Sequence, residues 1–173
     1  MPTDRFTNIT LGTNLTGTDN ADGSITIDAT GGGGGGEVAY AQITASPANP
    51  TATVEASANA IITAPAFTAD GTTDYLIEFF TPGCRPASGA ANRQLNFWLF
   101  QDGSSIGEIG VTVIPVSGVQ YLSLTGKRKL TPAAGSRTYS IRCTVNGGTD
   151  ATILAGAGGA GNYVPAFLRI TEA

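Results

Sequence analysis

The side chains of this sequence that could do chemistry are few and scattered. None of the 173 residues is a histidine, which removes the commonest general base, the Ser-His arrangements and most zinc sites together. Two carboxylates at the right separation could still cleave a glycosidic bond. Yet Glu37, Glu55, Glu78, Glu108 and Glu172 are spread along the chain, and Asp70, Asp74 and Asp102 sit in or beside turn sequences. Turn chemistry explains such aspartates, because a short carboxylate caps the backbone N–H groups that follow it. The hexapeptide GAGGAG (156 to 161) has the spacing of a dinucleotide fingerprint. That fingerprint works only where a strand turns into a helix, whereas NYVPAFLRI follows here and reads as strand. In DNADG (19 to 23), Ala21 stands where a calcium loop needs its second oxygen ligand. Cys84, in TPGCRP, and Cys143 have no neighbours at metal-ligand spacing and read as reduced thiols, Cys143 buried as a small hydrophobe. The reading is therefore no enzyme, no cofactor and no metal.

The charge pattern narrows the partners. Charged residues make up 13% of the chain and the net charge is -4, with Lys127-Arg128-Lys129 as the one basic cluster. Nucleic-acid binding needs more clustered cations than that, so the cluster is read as a solvated turn face, with a local anion or partner contact as the alternative. No apolar run reaches the length of a bilayer span, and no membrane insertion is expected. MPTDRFTNIT has no apolar signal-like core, which points to synthesis in a cytosol.

The elements that must position these residues read as strands throughout. TYSIRCTV (138 to 145) alternates Tyr139, Ile141, Cys143 and Val145 with polar residues, the pattern of a half-buried strand. DYLIEFF (74 to 80) and RQLNFWLF (93 to 100) carry apolar side chains on both faces, so each face needs a cover. EVAYAQIT, IGVTVIP, VQYLSL, ATILA and YVPAFLRIT are further strand-like runs. Asp70-Gly71, Pro82-Gly83, Asp102-Gly103, Ser117-Gly118, Ala134-Gly135 and Asn146-Gly147-Gly148 punctuate them as turns. Many short strands separated by turns predict an all-β, antiparallel jelly-roll sandwich over residues 37 to 173.

Residues 1 to 30 read differently. TDNADGSITIDA carries an Asp22-Gly23 hairpin turn, and Leu15, Ile25 and Ile27 are too few to build a core. This segment is expected to attach the protein to something else through those three residues, with the glycines of 31 to 36 as a linker.

TGTDNADGSITIDATGGG is similar to the short glycine-followed hairpins of tailed-bacteriophage fibre and structural proteins. From FTADGTTDYLIEFFTP through FWLFQDGSSIGEIG to the LTPAAGSRTYSIRCTVNGG region, the remainder resembles the terminal domains of such virion proteins, whose heads are similar to trimeric jelly rolls of the complement and tumour-necrosis-factor type. The resemblance implies a structural virion component, a short homotrimeric fibre or a capsid or tail decoration, made in the bacterial cytoplasm and attached to other virion proteins by its N-terminal segment. The alternative of another class is a receptor-binding tip for a bacterial surface glycan or protein, with loops around Arg85, Asn92 and Arg93 as its surface. A trimer would cover the second faces of the two-sided strands. Trp98, Phe100, Tyr163 and Phe167 are the candidate interface residues.

Overall fold

The computed structural model describes residues 15–20, 24–29, 36–47, 49–87, 93–114, 120–146 and 151–173. Its strands, in chain order, are β1 Leu15–Asn20, β2 Ser24–Ala29, β3 Glu37–Ile43, β4 Asn59–Thr63, β5 Phe67–Ala69, β6 Tyr75–Arg85 and β7 Arg93–Gln101. They continue with β8 Ser104–Ile114, β9 Leu122–Leu130, β10 Gly135–Arg137, β11 Tyr139–Val145, β12 Thr152–Leu154 and β13 Ala166–Glu172. A single 3₁₀ turn, Glu55–Ser57, precedes β4.

The chain divides into two compact units, residues 1–36 and 37–173. In the first, β1 and β2 pair antiparallel with Leu15 opposite Ala29, Gly17 opposite Ile27 and Asp19 opposite Ile25. Leu15, Ile25 and Ile27 therefore hold alternate positions on one ladder. Asp22-Gly23 and the glycines of 31–35 lie outside the described residues.

The second unit is an antiparallel jelly roll. One sheet runs β9-β6-β13-β3, with short β12 continuing the ladder beside the end of β6. The other runs β4-β11-β7-β8. Apart from the β7–β8 hairpin, successive long strands alternate between the two sheets, which is the jelly-roll connection. Period-2 alternation sends Ile77, Phe79, Leu168 and Ile170 of the first sheet, and Leu95, Phe97, Leu99, Tyr139, Ile141, Cys143 and Val145 of the second, into one core. The sheets meet there, with the rings of Phe79 and Phe97 5.4 Å apart. Small strands β5 and β10 pair at one end and place Phe67 between Tyr75 and Tyr139, 4.9 and 6.0 Å from their rings.

Of the expected turns, Asp70-Gly71 and Asp102-Gly103 are present and Pro82-Gly83 is not, while Ser117-Gly118 and Gly147-Gly148 lie outside the described residues. The β7–β8 hairpin turns at Asp102 (φ 50°) and Gly103 (φ 85°), the left-handed pair that matches strand twist. Pro82-Gly83, read as a turn, lies inside β6 instead, where the pairing with β9 shifts register between Thr81 and Cys84. A bulge tolerates proline, which has no N–H to offer a ladder. Gly83 beside it leaves room for Leu154, whose Cδ1 would lie 2.9 Å from a Cβ there and would have to turn away. Cys84 accordingly sits in a strand rather than a loop. Lys127-Arg128-Lys129 is also not a turn: it lies in the C-terminal half of β9. The strand β11 is covered on both sides, since Ser140 and Thr144 are buried along with the apolar face.

Candidate functional site

Each sheet of the jelly roll has an outer face, and the two differ in chemistry. On the β9-β6-β13-β3 face, the residues alternating with the core positions are Thr125, Lys127 and Lys129, then Leu76, Glu78 and Phe80, then Phe167 and Arg169, and lastly Tyr40 and Gln42. The rings of Phe80 and Phe167 lie 5.5 Å apart and those of Phe167 and Tyr40 6.1 Å apart, with interplanar angles of 30° and 27°. Three strands thus carry one aromatic row, and the Arg169 guanidinium stands 5.7 Å from the Phe167 centroid. Tyr40 donates its hydroxyl to Gln42 Oε1 at 3.1 Å. Beside the row, Glu78 bridges Lys127, at 2.9 Å, and Arg169. The hydrogen bond from Lys127, joined by that from Arg169, holds the Glu78 carboxyl below its ordinary range despite partial burial.

The β4-β11-β7-β8 face mixes polar residues with Trp98, Phe100, Val111 and Val113. Register places Trp98 between Arg142 of β11 and Glu108 of β8. Its indole N–H donates to Thr144 Oγ1 at 3.0 Å. Val111 and Val113 of β8, opposite Asn96 and Gln94, are 42% and 37% exposed, an apolar strip on a sheet edge that solvent alone would not select. Phe100 belongs to the same face but is covered by its own chain. Arg142 sits 4.2 Å over its ring, and the residue, which lines the floor of a shallow groove with Glu55, Ala56, Gly103, Ser104 and Ser105, is 3% exposed.

The four aromatics chosen from sequence therefore do not share one surface. Trp98 and Phe100 lie on the outside of one sheet and Phe167 on the outside of the other. Tyr163 belongs to neither face: it is half exposed in the connection before β13. Phe100 is too well covered to anchor a neighbour. Tyr40 and Phe80, which complete the aromatic row, were not singled out from sequence. Among the loop residues considered for recognition, Arg85 is buried beneath Tyr121, 5.7 Å from its ring, and Arg93 donates to the Asn146 carbonyl at 3.0 Å. Asn92 lies outside the described residues.

Both cysteines are free and fully buried. Cys84 Sγ lies 3.0 Å from Thr112 Oγ1, and burial pushes its thiol up; burial pushes Cys143 to about 12. The GAGGAG segment is a loop with Gly158, Gly159 and Gly161 at positive φ, and it leads into β13 rather than a helix. No group of three His, Cys, Asp or Glu is placed to hold a metal among the described residues.

The aspartates act as turn locks. Asp70 Oδ1 accepts from the N–H groups of Thr73 and Thr72 at 2.7 and 2.8 Å, which holds its carboxyl far below the usual range. Thr131 and Lys129 lower Asp74, and the Thr138 N–H and Arg137 lower Asp102. A carboxyl whose folded pKa is depressed stabilises the fold above its unfolded value and loses that contribution as pH falls toward the folded one. The urea midpoint of unfolding is expected to hold from pH 7 to about 5 and to drop below about pH 4. Asp70→Asn should flatten part of that drop. An equal midpoint at pH 7 and pH 3 would contradict the assignment.

No protein-family model and no curated protein matches this chain. Among solved structures, the chain is similar to dimeric latent PorU from Porphyromonas gingivalis, at 11% identity and a TM-score of 0.40, over 92% of this chain but only 18% of that one. It is similar to the C-terminal CBM6 of LamC, a marine laminarinase from Zobellia galactanivorans, at 12% identity and a TM-score of 0.26, over 91% and 88% of the two chains. It is also similar to the sugar-binding EclA C-terminal domain, at 14% identity and a TM-score of 0.29, over 78% and 76%. At these scores the likenesses carry no argument about what this chain binds.

Proposed function

We propose that the chain is a non-catalytic attachment protein of a bacteriophage virion: a homotrimeric jelly-roll head, serving as a short fibre or decoration, tied to other virion proteins by its N-terminal hairpin segment. The virion setting rests on the hairpin and head sequences that resemble phage structural proteins. The observation that carries the oligomer is the strip of Trp98, Val111 and Val113 on the outside of the β7–β8 edge. A heterologous contact repeated around a three-fold axis would cover it on every copy. Phe167 and Tyr163 drop out of that interface, since they lie elsewhere on the head.

Trp98→Asp puts a carboxylate where the contact would exclude water, at a cost of several kcal/mol. Multi-angle light scattering is expected to report a trimer for the wild type and a monomer for the variant, with the trimer weakened by about a hundredfold or more. A monomeric wild type at micromolar concentration would overturn the trimer.

A second reading, in which the head recognises a receptor on a bacterial surface, draws its support from the other sheet. That face combines an aromatic row with exposed charged groups, a mixture suited to a hydroxyl-rich ligand rather than to a second subunit.

A further inference from the structure

We infer that the outer face of the β9-β6-β13-β3 sheet binds an acidic polysaccharide, with Tyr40, Phe167 and Phe80 packing against sugar rings and Lys127, Lys129 and Arg169 meeting the sugar carboxylates. The inference rests on the reading of the head as a surface-recognition module and names its ligand.

The sign of the ligand follows from which charges face outward. The side chains of Lys127, Lys129 and Arg169 are 55%, 56% and 44% exposed, whereas Glu78, which pairs with two of them, is 11% exposed. The carboxylate lies underneath and the cations stand above it. Asp74 pairs with Lys129 at 3.0 Å but sits at the edge of the array. Lys127, Lys129 and Arg169 outnumber Glu78 and Asp74 by a single charge, and because the cations stand outermost an approaching anion meets them before the carboxylates.

The class of ligand follows from the row beside them. Rings 5.5 and 6.1 Å apart across adjacent strands offer repeated apolar contact to a linear chain of sugar rings laid across the strands. A sugar ring presents C–H groups to such a row and hydroxyl or carboxylate groups at its edge. Both then have partners, the first on the aromatics and the second on Lys127, Arg169 and Gln42. A second protein copy fits less well, because closing a subunit over this face would strip water from Glu78, Lys127 and Arg169 together.

The test uses the full chain and polygalacturonate at low salt, compared with fully methyl-esterified polygalacturonate, polyglycerol phosphate and single-stranded oligothymidylate, by isothermal titration calorimetry. Polygalacturonate should bind, and the ester should bind about tenfold or more weakly because its charge is gone. Tyr40→Ala should weaken binding about three- to tenfold, and the double change Lys127→Gln with Lys129→Gln about tenfold. Both substitutions are on exposed side chains, and unchanged thermal unfolding would confirm that the head stays folded. Equal binding of the ester would overturn the acidic ligand. Equal binding of polyglycerol phosphate, which has no sugar rings, or of the oligonucleotide would overturn the saccharide. No polygalacturonate binding, in a protein that still adheres to bacterial cells, would overturn this inference and leave the receptor-recognition reading intact.

Discussion

Replacing Phe97 by alanine is expected to destabilise the head by about 3–5 kcal/mol, the range for deleting a fully buried aromatic ring. Phe97 is 0% exposed and its ring packs 5.4 Å from that of Phe79 on the facing sheet. The two rings are the central contact between layers. Their neighbours Leu95, Leu99, Ile141 and Leu168 are held on strands whose ladders keep them from collapsing into the void. The thermal midpoint should fall by roughly 10–15 °C for a unit of this size. Val113→Ala, one face away and 37% exposed, should cost under about 1 kcal/mol in the monomeric head. Similar losses for the two variants in calorimetry would mean that the layers do not meet at Phe97.

Gly126→Ala is the second large effect, and it reaches the proposed ligand face. β9 and β8 belong to different sheets, yet they pass so closely at one side of the sandwich that a Cβ on Gly126 would lie 2.6 Å from the Ile109 carbonyl oxygen and 2.8 Å from Ile109 Cγ1. The nearest atom is backbone, so no rotamer change relieves the contact. The same seam is fastened by Arg128, whose guanidinium donates to the Ile106 carbonyl. Alanine must push β9 away from β8, at a cost of about 1–3 kcal/mol. Lys127 and Lys129 follow Gly126 on the outer side of β9, so their ion pairs with Glu78 and Asp74 should loosen with it. The expected result is a lower thermal midpoint together with weaker polygalacturonate binding. A variant as stable as the wild type would show that the seam is wider than described.

Several elements were legible because their causes are local. The alternation of Tyr139, Ile141, Cys143 and Val145 specifies a strand with one apolar face, and all four are buried. Asp102-Gly103 specifies its hairpin because the two φ angles it needs are those these residues tolerate. The apolar character of 74–80 and 93–100 on both faces asks for a cover on each side; the inner sides are buried in the core, whereas Phe80 and Trp98 on the outer sides are only half-buried.

Other features were not legible because their causes are distant in sequence. Pro82-Gly83 has the composition of a turn, but Leu154 and the partner strand β9 make it a bulge. Lys127-Arg128-Lys129 looks like a solvated turn until Glu78 and Asp74 on other segments supply its counter-charges. Strands β4, β5 and β10 were missed because runs of three to five residues carry too little periodicity to stand out.

By itself the sequence determined that this protein is all-β with a jelly-roll sandwich, that Asp70 and Asp102 belong to turns and that GAGGAG is a loop before a strand. These follow from residue type and alternation, which act over a few positions. Only the tertiary structure decided which aromatics share a surface. It set Trp98 against Phe167 on opposite sides of the sandwich, buried Phe100 beneath Arg142, and gathered Tyr40, Phe80 and Phe167 from three distant segments into one row. The physical reason is that a strand's alternation says which residues share a side, whereas sheet order and register say which strands stand next to each other.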